Sequence, residues 1–210
     1  MAHRALMALI STGIIILVVP LVGMLIDFIN EEIGKAIARG AGVSVAWFVM
    51  NMLTFVGTIH HELSHALYAL ITGAKVKKIV IFHPEKDRLG YVEFEPRGIW
   101  LFRAIQYTMA GIAPTVQSFI TDCLLVWLLV SVKLPIWAVI LIIYVIVSIF
   151  IHMTMSPADV KAAVKGLPIV AAIVFIICFA FGIDFIGMAQ GFNFLQFKDG
   201  ALVISSLIMR

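Results

Sequence analysis

Four stretches of this chain, residues 5–26, 40–59, 134–158 and 167–183, contain no Asp, Glu, Lys or Arg, and a fifth, residues 104–132, is interrupted only by Asp122. About 20 apolar residues cross the hydrocarbon core of a bilayer. Lipid offers the backbone no hydrogen-bond partners, so a crossing segment must satisfy its amides internally, as a helix does. This pattern limits the fold more than any other feature. Composition agrees with it: 62% of residues are hydrophobic, 13% are charged and the mean hydropathy is +1.10, outside the range of soluble domains. The expected architecture is an all-α polytopic membrane protein with five spans, and a sixth short helix near residues 201–209 as an option. Arg4 ahead of the first apolar run resembles the start of a signal peptide. The run is too long for that and no small-residue cleavage pattern follows, so it is expected to be a retained first span.

Between the apolar runs the chain changes character three times. The stretch "DFINEEIGKAIARG" closes the first span with charges of both signs. The second apolar run is expected to continue without a breaker from about residue 43 to residue 71, with Gly73 as its stop. Then "AKVKKIVIFHPEKDRLGYVEFEPRG" holds two short β-rich runs, 76–82 and 90–94, joined by turn chemistry, which predicts a small interfacial β-hairpin. A third helix from Trp100 is expected to bend or break around "MAGIAPTVQ". A fourth runs from Pro135 to about Thr154. The polar segment "MSPADVKAAVKGLP" is expected to separate it from a fifth that opens at Pro168.

With five spans, the N-terminus, the hairpin and the "SPADVKAAVKG" segment share one side. That side holds ten of the 15 Lys and Arg residues, which makes it cytoplasmic by the positive-inside rule. The location implied is the cell membrane, multi-pass. The net charge of +3 therefore reports orientation and calls for no nucleic-acid partner. Cys123 and Cys178 lie in separate apolar segments, where a free thiol ordinarily just packs.

The chemistry concentrates in "TIHHELSHALYAL". His61 and His65 are four residues apart, hence one turn apart on the same helix face. Two imidazoles so placed can bind one tetrahedral ion. Glu62 lies about 100° around from His61, close enough to take a proton from water activated by that ion. Zinc is the default, because it is redox-inert and suits imidazole with carboxylate. Such a motif on a soluble helix is often just a solvated face, but three ionisable groups in an apolar helix are each costly and need a shared partner.

A catalytic ion also needs a third protein ligand, and depth selects among the carboxylates. His65 lies roughly 15 Å in from the cytoplasmic end of its helix at 1.5 Å per residue. Asp122 lies roughly 28 Å in, near the far face, and Asp184 is similarly distant. Asp159 follows the fourth span on the correct side and combines the right chemistry with a suitable depth. The alternative role for Asp159 is that of a helix N-cap, with Ser156 as its rival.

With "HELSH" in one span and an Asp after a later one, the chain resembles the site-2 protease family of intramembrane zinc metalloproteases. The resemblance covers a three-helix core, residues 44–166, with the hairpin at 75–96. Residues 1–43 form an N-terminal span and loop, and residues 167–210 form C-terminal helices of the same single transmembrane domain. The resemblance implies His61, His65 and Asp159 as metal ligands and Glu62 as the general base. The family's GPxxN-like signature is replaced here by "APTVQ", which puts Gln117 forward as a substrate-binding residue, against ordinary helix–helix hydrogen bonding by an amide. The family's Asn-Pro…Asp-Gly motif reads "SPADVKAAVKG" here. The implied function is a zinc endopeptidase acting on membrane-spanning substrates, which can join the 76–94 hairpin as an added strand. Its partners are the bilayer, a membrane-protein substrate and, as an option, a regulatory membrane protein. The alternatives are a divalent-metal transporter, which needs ligands along a path through several helices, and a non-catalytic binder of membrane clients.

Overall fold

The structure is a computed structural model and describes residues 1–83, 89–187, 195–198 and 201–204. In chain order its elements are α1 (Ala2–Ala41), α2 (Val43–Trp47), a π-helical turn (Phe48–Met52), α3 (Phe55–Ile71), β1 (Lys75–Val80), β2 (Tyr91–Glu95), α4 (Trp100–Ser131), α5 (Ile136–Ile151), α6 (Pro157–Phe181), β3 (Leu195–Lys198) and β4 (Ala201–Ile204). The fold is mainly helical with a small hairpin, as expected. Three helices, α1, α4 and α6, are long and apolar enough to cross a membrane, or four if α2 and α3 count as one bent span; α5 is apolar but shorter. Contacts divide the chain into two compact units, one of residues 17–170 and one of residues 1–16 with 171–210.

In the larger unit α3 is the central helix, packed on α4, α5 and both hairpin strands. The uninterrupted helix expected over residues 43–71 is instead bent by 51° between the π turn and α3. The cause lies on α5, out of view of local sequence. Ser148, fully buried, donates its hydroxyl to Thr54 O (2.8 Å) and accepts from Gly57 N (2.8 Å). One turn away, Tyr144 donates to Leu53 O (3.0 Å). Tyr144 thus takes up a carbonyl at the break, and Ser148 adds a second partner to Thr54 O and Gly57 N, which also bond each other at 3.0 Å. Gly57 permits the approach, because a Cβ there would fall inside the Ser148 carbonyl and 2.6 Å from His152 Nδ1.

The other end of α3 follows the sequence closely. Gly73 adopts φ +86°, Gly73 N donates to Leu70 O (3.0 Å) and Ala74 N to Ala69 O (2.8 Å). This is the left-handed glycine stop that satisfies a helix's last carbonyls. The hairpin then forms where the alternation predicted it, with β1 antiparallel to β2 in the register Lys75↔Glu95 to Val80↔Tyr91 and a bulge between Val76 and Lys78. Residues 84–88 of its expected turn lie outside the described residues. Lys77 and Glu95 pair at 2.9 Å, and this bond holds the Glu95 carboxyl below its ordinary range. Gln106 of α4, 3% exposed, pins the hairpin's end to α3: its amide donates to Thr72 O (3.0 Å) and Arg97 O (3.2 Å) while its oxygen accepts from Arg97 N (2.7 Å).

Two further expectations are corrected. Of the bend or break expected around "MAGIAPTVQ", the break is absent: α4 is one helix from Trp100 to Ser131 with Pro114 inside it. The fifth helix does not open at Pro168, because α6 begins at Pro157 in the polar segment and continues through Pro168. Within residues 17–170, α6 starts hard against α4. A Cβ on Gly111 would sit 2.6 Å from Asp159 O and 2.7 Å from Ala163 N, and one on Gly166 would overlap the Ala104 carbonyl. Small residues that let backbones touch are the usual means of joining helices where no hydrophobic effect is available.

In the smaller unit, Arg4 donates to the last carbonyls of α6, Phe179 O (2.8 Å) and Ala180 O (2.7 Å). Ser11 donates to Ile183 O (3.2 Å). The option of a helix at 201–209 is corrected over residues 201–204, which form β4 paired antiparallel with β3. Residues 205–209 lie outside the described residues.

Candidate metal centre

α3 places His61 and His65 one above the other with their Nε2 atoms 3.2 Å apart. Asp159, from the first turn of α6, brings Oδ1 to 3.2 Å from His65 Nε2 and Oδ2 to 3.9 Å from His61 Nε2. All three side chains are largely buried, and one donor atom from each lies within 4.8 Å of the others. The sequence places these residues 98 positions apart at the extremes; the fold brings them to one point, and the group can hold a metal ion.

The hydrogen bonds behind the rings sharpen this. His61 Nδ1 donates to His152 O (2.8 Å) and His65 Nδ1 donates to Ala110 O (2.8 Å). A neutral imidazole whose Nδ1 carries the proton presents a bare lone pair at Nε2. Two lone pairs and a carboxylate therefore face one another. A metal cation placed between them can serve all three at once. Backing of each ligand histidine by a carbonyl is also how metal sites fix ring orientation.

Both carbonyls are free for structural reasons. His152 caps the C-terminus of α5, where the last carbonyls of a helix have no partner. Ala110 lies inside α4, but the residue four positions later, which would normally donate to it, is Pro114, which has no N–H. The proline thus frees the acceptor that orients His65. Its spacing from Ala110 was visible in "AGIAP", yet nothing local ties that carbonyl to a histidine 45 residues away.

The N-cap role falls to Ser156 and not to Asp159, which instead returns a hydrogen bond to the cap from the third helical position. Ser156 is the N-cap of α6, accepting from Asp159 N (3.2 Å), and Asp159 Oδ2 accepts from Ser156 N (2.9 Å) and Ser156 Oγ (2.6 Å). This is a reciprocal capping box with Asp at the third helical position and Pro157 at the first. Oδ2 is held by the cap, which turns Oδ1 to His65.

The cluster opens on a cavity of about 930 Å³. Glu62, 7% exposed, lines it beside His61 and His65, as do Thr58, His152 and Ser156, with Gly90, Tyr91, Val92 and Phe94 forming the hairpin wall. The hairpin lies close over the glutamate: a Cβ on Gly90 would be 2.8 Å from Glu62 Cγ and 2.7 Å from Val80 O. Gln117 is elsewhere. It donates to Thr121 Oγ1 (3.3 Å) and lines a separate cavity of about 410 Å³ with His60, Leu63 and Ser64. His60 is turned to the same polar group, Nε2 lying 3.0 Å from Thr121 Oγ1. Asp122 does not join the metal cluster; both its carboxylate oxygens are buried without a partner among the described residues.

Fold and site together define a mainly helical protein, with helices fit to cross a membrane, that carries a preassembled group able to bind a metal ion. No protein-family model, no curated protein and no solved structure matches the chain, so what the group does is argued from its geometry.

Proposed function

We propose that the protein is an intramembrane zinc endopeptidase that resembles the site-2 proteases and hydrolyses peptide bonds of membrane-spanning substrates. The observation that carries this is the convergence of two Nε2 lone pairs and the Asp159 carboxylate beside Glu62, all facing one cavity that a β-strand edge also lines. On this reading α1, the α2–α3 pair, α4, α5 and α6 are five crossings, and the site faces the cytoplasmic side of the cell membrane. His61, His65 and Asp159 hold the ion. Histidine with carboxylate is a donor set that suits zinc. When bound, zinc supplies Lewis acidity toward a peptide carbonyl and toward water.

The chain's own residues do the rest. Glu62 takes a proton as the water oxygen bonds to the carbonyl carbon, and passes it to the amide nitrogen as the C–N bond breaks. Peptidases need an extended backbone at the scissile bond, because a helical carbonyl is already hydrogen-bonded. The edge of β2 away from β1 offers an unwound segment the backbone partners that lipid denies it.

The test uses a fluorescent apolar peptide of about 20 residues with a central Gly-Pro pair, in proteoliposomes. Wild-type protein is expected to cleave it. Glu62→Gln is expected to lose about 10²–10⁴-fold in rate while retaining its zinc. Cleavage by Glu62→Gln at the wild-type rate overturns the reading. So does metal flux across the liposome membrane without any cleavage, which is the behaviour of a transporter.

A further inference from the structure

Thr58 lies on α3 one helical turn ahead of Glu62 and lines the same cavity. It is 3% exposed, and its hydroxyl has no hydrogen-bond partner among the described residues. Other buried hydroxyls on helices are paired: Ser64 donates to His60 O, Thr108 to Ala163 O, Thr115 to Met153 O and Ser148 to Thr54 O.

The exception has a local cause. A helical threonine commonly returns its hydroxyl to the carbonyl four residues back, as Thr12 does to Ala8 O at 2.7 Å. For Thr58 that acceptor is Thr54 O, which already takes Gly57 N (3.0 Å) and Ser148 Oγ (2.8 Å). The serine that stabilises the bend in the second apolar segment therefore releases the hydroxyl of Thr58. A buried hydroxyl without a partner is destabilising, and its presence needs an explanation.

A partner that arrives with the substrate supplies one. An extended peptide points its carbonyls alternately to either side. A segment laid along β2 would pair on one side with the strand and present its other carbonyls toward α3, where Thr58 and Glu62 share a face. From this we infer that Thr58 is a substrate-binding residue, its hydroxyl donating to a backbone carbonyl of an extended peptide held in the cavity. The inference rests on the peptidase reading and adds to it the residue on α3 that grips the substrate backbone.

Thr58→Val removes the hydroxyl at nearly constant shape, and Thr58→Ser keeps it. In a Glu62→Gln background, Thr58→Val is expected to weaken binding of the Gly-Pro peptide roughly 5–10-fold. In the Glu62 protein it is expected to raise KM more than it lowers kcat. Zinc content should be unchanged and Tm unchanged or higher, because an unpaired buried polar group has been removed. Thr58→Ser should restore most of the affinity. Thr58→Val protein that binds and cleaves like wild type overturns the inference and leaves the peptidase reading standing. A fall in Tm with loss of zinc shows a structural hydroxyl and also overturns it. Wild-type protein that neither binds nor cleaves the peptide overturns both.

Discussion

Gly111→Ala tests whether the contact between α4 and α6 sets the position of Asp159, the third ligand of the proposed zinc site. The added Cβ would lie 2.6 Å from Asp159 O, 2.7 Å from Ala163 N and 3.1 Å from Ala163 Cα. These are backbone atoms of one helical turn, so no side chain can swing aside. Ordinary contact begins near 3.4 Å, and the start of α6 must retreat by about 0.8 Å to restore it. Metal–ligand distances tolerate about ±0.2 Å, so Asp159 Oδ1 can no longer meet an ion seated on the histidines. Overpacking of this kind costs about 1–3 kcal/mol. The larger effect should be on the metal, with affinity falling by about 10–100-fold, the range seen when the support of a ligand is lost. A competition titration with a chromophoric zinc chelator measures this, and thermal unfolding with and without zinc separates stability from binding. Gly111→Ala protein with wild-type zinc affinity would refute the claim that this backbone contact positions Asp159.

Ser156→Ala removes the cap and the hydroxyl that holds Asp159 Oδ2 at 2.6 Å; a loss of about 0.5–2 kcal/mol in stability and about 10-fold weaker zinc binding is expected from the same titration. Pro114→Ala restores an N–H that competes with His65 for Ala110 O, and is expected to weaken zinc binding by about 10-fold while the Glu62→Gln-sensitive cleavage falls in step. Lys77→Gln removes the bond that depresses the Glu95 carboxyl. The Glu95 side-chain NMR titration is then expected to move to higher pH, toward its ordinary midpoint, and an unmoved midpoint would show that the pair does not persist in solution.

The parts of the fold governed by local chemistry were legible in the sequence. Gly73 ends α3 because only a left-handed residue completes that turn, and the alternation around residues 75–95 gives a hairpin in which Val76 pairs with Phe94. His61 and His65 follow from helical spacing alone, and Asp159 from its depth among the carboxylates. What stayed hidden depends on partners distant in sequence. The bend before α3 needs Tyr144 and Ser148 of α5, which no window around residue 53 contains. Pro168 reads as a helix start, yet α6 runs through it, with Gly166 seated against the Ala104 backbone of α4. Gln117 was singled out by its place in "APTVQ", whereas the structure turns it to Thr121 and away from the metal cluster. The hydroxyls of Ser156 and Thr58 and the gap left by Pro114 are each ordinary locally, and matter only because of what the fold puts beside them.

Bound metal, measured by elemental analysis on protein purified without chelators, tests the central claim most directly. Wild-type protein is expected to carry one zinc per chain, and His65→Ala protein, which loses one of the two facing imidazoles, to carry almost none while remaining folded. A metal-free wild type, or a His65→Ala variant with a full equivalent of zinc, would contradict the account.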